Sequence, residues 1–196
     1  MSPSELSHSL WPSLYLSASA AFGGSIVGLS EQGLVFVHPS AEAGLMLRAH
    51  SIAQCYCPGT VTLPLLKAPA HLKNRAASIL SILESDKRPA LNDLSLKGTP
   101  LQHAVWSYLY TIPKGELRTY SQVAHAVDAP RAVRAVANAC AHNRLAVVIP
   151  CHRVIRADGT LGGYRWGLHL KRALLCAEGA LNNRSDDTRK NLVADA

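Results

Sequence analysis

The sequence is short of the features that mark secreted, membrane and fibrous proteins. Its five cysteines, Cys55, Cys57, Cys140, Cys151 and Cys176, fall at irregular spacing and in odd number. They make no disulfide scaffold and leave at least one thiol over, and a reducing, cytoplasmic setting is expected. No apolar run reaches the roughly 18 residues of a membrane-spanning helix. The N-terminal Met1-Ser-Pro-Ser-Glu5 has no basic region, and the segment after Trp11 is broken by serines, which sets aside a signal peptide. Internal repeats and low-complexity tracts are lacking. Charged residues make up 17% of the 196 residues and hydrophobic residues 48%, the balance of a folded chain rather than a disordered one.

The net charge of +7 is unevenly spread. Residues 1–100 carry 7 Lys/Arg against 6 Asp/Glu, residues 101–181 carry 10 against 4, and the last fifteen carry 3 of each. Most of the basic residues in the middle stretch are arginine, whose planar fork suits phosphate. A basic second half points to a polyanion, nucleic acid above all.

The first half reads as mixed α/β. Residues 25–30 and 34–38 are β-branched runs around Glu31-Gln32-Gly33, a hairpin signal. Helices are expected over 41–53, weakened by Gly44, and over 70–84; residues from about 85 read as a linker. The second half reads as mainly helical. A helix over 100–110 ends before Ile112-Pro113-Lys114-Gly115, and Thr119 is an N-cap for a helix over 120–127. Asp128-Ala129-Pro130 breaks the chain, and Pro130 suits the first position of a second helix. There Val133, Val136, Ala137 and Cys140 share one face, expected to be buried, and Arg131, Arg134 and Asn138 share the other. Two short helices about a tight break, the second bearing exposed arginines, form a helix-turn-helix pattern. Residues 145–149, Leu-Ala-Val-Val-Ile, read as a buried strand running into Pro150-Cys151-His152-Arg153-Val154.

A cysteine held beside proline at the end of an apolar run is poorly explained as core filler. Pro-Cys-His-Arg-Val resembles the active-site signature of the O6-alkylguanine-DNA alkyltransferases, the methylated-DNA–protein-cysteine methyltransferases. Thr111-Ile-Pro-Lys-Gly-Glu116, Thr119-Tyr120, Arg131-Ala-Val-Arg-Ala-Val136, Asn143, Asp158-Gly-Thr160, Gly163-Tyr-Arg-Trp-Gly167 and Glu178-Gly179 stand in the family's order. The details are most similar to the alkyltransferase half of the bacterial adaptive-response protein. Thr62-Leu-Pro-Leu65 and Leu96-Lys-Gly-Thr99 extend the resemblance loosely into the first half.

The resemblance implies an α+β protein. A small N-terminal α/β, ribonuclease H-like domain occupies 1–94. A mainly helical, winged helix-turn-helix-like domain that binds DNA and carries catalysis occupies 95–181, and a polar, disordered tail 182–196. It also implies a reaction: a damaged guanine is flipped from the duplex, and a cysteine takes its O6-alkyl group irreversibly, once per molecule, with O4-alkylthymine as a further substrate. Cys151 becomes the acceptor. His152 takes the thiol proton through a water, with Glu178 orienting the imidazole. Asn143 holds the active-site turn and Tyr120 donates to the leaving base. Arg134 fills the gap in the base stack, while Arg131, Tyr120 and Asn138 contact DNA from the minor groove. Val154, Tyr164 and Arg165 form the base pocket, the carbonyls of Cys151 and Val154 reading the exocyclic amine. The protein is expected to act as a monomer with no metal and no cofactor. The other eight histidines show no ligand spacing, and Cys55-Tyr56-Cys57 lacks a second pair.

The chemistry fits the residue types. A free thiol near pKa 8.5 is only a few per cent ionised at neutral pH. Lowering it by about two units would gain only about three- to fourfold in rate once nucleophilicity falls with basicity. Alignment of sulfur and carbon and protonation of the leaving base therefore carry most of the rate. Two departures stand out. Arg165 replaces a serine that, in animal members of the family, bonds the lesion oxygen, leaving only its backbone N–H for that role. The four-cysteine zinc module and the transcription-factor domain of the adaptive-response protein have no counterpart in these residues, so phosphotriester repair and gene activation are not expected. A damage-binding module without chemistry would lack Cys151. A cysteine hydrolase using Cys151, His152 and Asn143 would leave the arginine-bearing helix unexplained.

Overall fold

The computed structural model describes residues 13–19, 25–39, 48–58, 60–85 and 87–181. Over them the chain is of mixed α+β class. It divides into two compact units, Met1–Leu96 with Arg144–Val148, and Lys97–Asn143 with Ile149–Ala196. The polar tail expected over 182–196 lies outside the described residues.

In the first unit, strands β1 (Ser13–Ser19), β2 (Ser25–Ser30) and β3 (Gly33–Pro39) form an antiparallel meander. A fourth strand, β4 (Val61–Pro64), pairs parallel to β1, giving the order β3-β2-β1-β4. β1 is not among the expected strands, although Leu14, Leu16 and Ala18 alternate with serines and a tyrosine at the period of a strand. β2 is buried along its whole length and β3 nearly so, which is why both read as near-continuous apolar runs rather than alternating ones. Gly28 is needed on β2, since a Cβ there would stand 2.1 Å from the Phe36 ring, which itself stacks on Tyr56 at 4.6 Å.

Helix α1 spans Ala49–Tyr56. The helix expected over 41–53 thus begins later within the described residues, and residues 41–47 lie outside them. Helix α2 spans Ala70–Glu84, with Leu72, Ala76, Ile79 and Leu83 buried as one stripe; each large member contributes roughly 1.5–3 kcal/mol by leaving water. The stretch from 85, expected as a linker, is instead tied to β3. Residues Leu91–Asp93 form a 3-10 turn, Leu94 bridges Leu34, and Ser95 N–H donates to the Leu34 carbonyl at 2.8 Å. Hydrogen bonding along an otherwise open strand edge outweighs the Pro-rich, charged composition.

The same strand accepts Arg144–Val148. Val37 N–H donates to the Arg144 carbonyl at 2.9 Å, and Leu145 bridges Val37. The strand expected over 145–149 does not form, and after that single bridge the chain turns. Val148 N–H donates to the Ala146 carbonyl at 2.7 Å around Val147 at φ +66°. A β-branched residue there is a strained γ-turn centre.

In the second unit, α3 (Pro100–Thr111), α4 (Tyr120–Ala126) and α5 (Val133–Ala141) pack together. α3 and α4 each begin with a capping box, Thr99 with Gln102 and Thr119 with Gln122, satisfying two of the orphan N–H groups at each start. Trp106 Nε1 donates to the Ala139 carbonyl at 2.9 Å, fixing α3 against α5. Pro130 is not the first residue of α5. Ala132 N–H donates to the Ala129 carbonyl at 2.8 Å, so Pro130 takes the second position of a β-turn, which wants the same φ, and the helix starts three residues later. The buried face of α5 is Val136, Ala139 and Cys140; Val133 and Ala137 are half-buried on a cavity wall. Short strands β5 (Arg118–Thr119) and β6 (Val154–Ile155) pair in parallel, and α6 spans Leu168–Ala177.

Candidate active site

The loop bearing Cys151 is shaped by Pro150. Its φ of −81° and ψ of 60° make an inverse γ-turn in which Cys151 N–H donates to the Ile149 carbonyl at 2.8 Å. Proline suits that centre because its ring fixes φ there. Cys151–Arg153 then form one 3-10 turn. Asn143, fully buried after α5, donates from Nδ2 to that same Ile149 carbonyl at 2.8 Å and to Cys151 Sγ at 3.2 Å. One amide therefore holds both the turn and the sulfur.

Cys151 is almost wholly buried. Burial pushes its thiol up from the ordinary value, while the Asn143 hydrogen bond and the charge of Lys171 oppose that. The direction is opposite to an activated resting thiolate. His152 is fully buried, and burial pulls it down from its ordinary value against the pull of Glu178. At neutral pH the pair is a thiol beside a neutral imidazole. His152 Nε2 donates to Glu178 Oε1 at 3.0 Å. This fixes the tautomer and leaves the buried Nδ1 as an acceptor with no hydrogen bond among the described residues.

Glu178 caps the C-terminus of α6, where a carboxylate opposes the helix dipole. Arg153 supplies the reason for its presence. Its Nε donates to Oε2 at 2.8 Å and its Nη2 to Oε1 at 2.6 Å, a bidentate fork. A further guanidinium N–H donates to the Ile112 carbonyl. Burial would raise the Glu178 carboxyl, but the Arg153 and His152 hydrogen bonds and charges hold it at about 2.

Tyr120, Val133, Arg134, Ala137, Cys140, Ala141, Cys151, Arg156, Gly163, Tyr164 and Arg165 line one cavity of about 460 Å³, all from the second unit. Burial, with the thiols Cys140 and Cys151 nearby, pushes the Tyr120 phenol up to about 12, so it stays protonated as a donor. Tyr164 meets the His152 ring edge-on at 6.5 Å. Of the residues expected at the site, Arg131 and Asn138 are exposed and lie outside this lining. The Val154 side chain is likewise buried away from it.

Sequence reasoning gave no role to Lys171 or to Arg153. Lys171 is fully buried, and its Nζ donates to the Val154 carbonyl at 2.6 Å and to the Leu161 carbonyl. Burial lowers it to about 8. The Val154 carbonyl keeps one lone pair, as does that of Cys151, which accepts from Val154 N–H. Lys171 shares a helical face of α6 with the buried Leu175, but a lysine at that spacing reads as solvated, so no local signal marks it. Among the described residues no group of His, Cys, Asp or Glu could hold a metal ion, and no helix is long and apolar enough to cross a membrane.

Residues 100–180 match the family described as 6-O-methylguanine DNA methyltransferase, DNA binding domain. The chain is 49% identical over 113 residues to the Escherichia coli bifunctional transcriptional activator/DNA repair enzyme Ada, covering 57% of this chain and 32% of that protein. It is 52% identical over 83 residues to the Mycobacterium bovis methylated-DNA–protein-cysteine methyltransferase, covering 42% and 50%. The chain thus spans half or less of these two curated relatives. Mycobacterium tuberculosis OGT, solved in complex with DNA, superposes with a TM-score of 0.60 and 30% identity over 86% of this chain and 93% of that one. A match of that identity across nearly all of a solved relative makes this chain a member of the O6-methylguanine DNA methyltransferase family.

Proposed function

We propose that this chain repairs alkylated duplex DNA by one irreversible transfer, moving the alkyl group from O6 of guanine, and from O4 of thymine, to Cys151 Sγ. The observation that carries the reading is a buried thiol on a cavity wall, its sulfur held by the Asn143 amide. The cavity is built for a guest larger than water and admits a flipped base. Exposed Arg134 stands on its rim and fills the gap in the stack, offsetting part of the few kcal/mol that extrusion costs. Ala135 and Ala141 on the exposed side of α5 let the helix approach closely enough for a minor groove roughly 6 Å wide, with Arg131 and Asn138 beside them. The first unit is read as ribonuclease H-like from its β3-β2-β1-β4 order with parallel β4. The second is read as winged helix-turn-helix-like, with α4 and α5 as the helix pair.

The Cys151 proton passes through a water to His152 Nδ1, and the already ionised Glu178 stabilises the imidazolium that forms. Sγ then bonds to the alkyl carbon as the carbon–O6 bond breaks, its electron pair going to the guanine. Tyr120 Oη gives a proton to the leaving base and regains one from the imidazolium through solvent. The remaining lone pairs of the Cys151 and Val154 carbonyls read the exocyclic amine, the latter carbonyl fixed by Lys171.

Clearing the thioether would need a nucleophile to attack its alkyl carbon with the Cys151 thiolate as leaving group, and His152 and Glu178 move only protons. Incubation with excess O6-methylguanine duplex should add one methyl group per molecule, mapped by peptide mass spectrometry to Cys151, and then stop. Product beyond one equivalent with Cys151 unmodified contradicts the reading, and so does tight binding without transfer.

A further inference from the structure

Arg156 has no task in the chemistry above, yet it lines the same cavity. Among the described residues the lining holds three guanidinium groups, Arg134, Arg156 and Arg165, and no carboxylate. The acids described in this unit lie outside that lining. Glu178 is clamped by Arg153 and His152, Glu116 pairs with Arg118 at 2.9 Å, and Asp128 sits on the α4–α5 connection. Asp158, two residues from Arg156, accepts from Thr160 N–H at 2.8 Å and Oγ1 at 2.7 Å, and these bonds, with a smaller pull from the Arg156 charge, hold its carboxyl below the ordinary value. Arg156 makes no ion pair among the described residues.

Its backbone is nonetheless firmly set. Arg156 N–H donates to the Thr160 carbonyl at 2.9 Å and Gly159 N–H to the Arg156 carbonyl at 3.0 Å, with Gly159 at φ +85°. That is a three-residue hairpin loop closed by a left-handed glycine. On the next turn, a Cβ at Gly162 would stand 3.3 Å from the Tyr120 ring and 3.4 Å from Arg156 Cγ. The Arg156 stem and Tyr120 therefore flank one glycine, and Arg156 is an exposed residue of the same lining.

We infer that Arg156, with Arg165 as its neighbour on the cavity lining, is an oxyanion site that takes a backbone phosphate of the extruded nucleotide. The inference rests on the transfer reading. A base inside the cavity brings its own phosphates to the rim, where the planar guanidinium fork matches two phosphate oxygens. The site supplies positioning, not chemistry. Being exposed, it acts through a contact that salt screens.

The test compares wild type, Arg156→Ala and Arg156→Lys in single-turnover transfer from an O6-methylguanine duplex, across a salt series, and from free O6-methylguanine base. Wild-type thioether formation at Cys151 tests the transfer reading by itself; the variant-to-wild-type ratio tests this one. Arg156→Ala should slow duplex repair about tenfold at low salt and by at least several-fold more than the free-base reaction. The salt slope of DNA binding should fall by about one, and Arg156→Lys should recover part of both. A methylphosphonate linkage beside the lesion should bring wild type and Arg156→Ala to the same rate at one of the two flanking positions. Equal losses on duplex and free base would overturn the site, as would an unchanged salt slope. A larger loss on an O6-carboxymethylguanine duplex than on the methyl lesion would assign the anion to the substituent and overturn the phosphate.

Discussion

Glu178→Gln is the substitution whose cost can be worked most directly from the structure. The change keeps the shape and removes the charge from a side chain only 7% exposed, facing the Arg153 fork and His152 Nε2. The carboxyl is held at about 2 against an ordinary 4.5, and at 1.36 kcal/mol per unit that amounts to about 3 kcal/mol of stability. The value agrees with the roughly 3–5 kcal/mol lost when one partner of a buried pair is removed. A depressed carboxyl contributes fully above its unfolded value and loses the contribution as pH falls through the folded one. The stabilisation is therefore present above about pH 5 and gone near pH 2. Urea denaturation at pH 7, 5, 3 and 2 should show the variant about 3 kcal/mol weaker at neutral pH, with the two curves converging in acid. A gap that stays constant down to pH 2 would refute the electrostatic account and leave only a packing defect.

Three further outcomes follow from the same geometry. Asn143→Ala removes the donor shared by the Ile149 carbonyl and the thiol; it should cost about 1–3 kcal/mol and slow methyl transfer by far more than the loss of folded protein explains, measured by denaturation alongside single-turnover kinetics. Arg134→Ala should depress transfer from duplex DNA much more than transfer from the free base, and equal losses would point to general damage of the cavity. Because burial raises the Cys151 thiol, its iodoacetamide labelling, followed by peptide mapping, should climb with pH beyond the ordinary thiol range near 8.5; a rate already flat at pH 8 would contradict that direction.

Much of the second unit was legible because local signals and packing agree there. Thr99 and Thr119 stand three residues before glutamines, and both helices start where those capping boxes put them. The hairpin at Glu31-Gln32-Gly33 formed for a similar reason, with Gly33 at φ +122° and no room for a Cβ beside the Asp93 carbonyl. Residues 145–149 failed the same logic. Their apolar composition reports burial, which is correct at Leu145, Ala146, Val148 and Ile149. Burial does not specify extension, and the γ-turn at Val147 runs against every preference of a β-branched residue. Such a conformation persists only when its surroundings over-determine it. Here the Arg144 carbonyl is fixed by Val37 on one side, and the Asn143 amide fixes the Ile149 carbonyl on the other.

The site was legible where a resemblance carried it and opaque where buried charge decided it. Arg153 and Lys171 are basic residues that a periodicity reading assigns to solvent, yet both are buried. Each is tolerated because specific acceptors surround it: a carboxylate and the Ile112 carbonyl for Arg153, and the carbonyls of Val154 and Leu161 for Lys171. Those acceptors come from segments far apart in sequence, so no local window contains the information. Their presence also explains the position of Glu178. A carboxylate at a helix C-terminus is unfavourable by itself, and becomes favourable only once Arg153, two residues after the thiol, turns back onto α6. The Cys151 loop and the end of α6 are thus held by one buried ion pair, and the same pair keeps Glu178 ionised for His152.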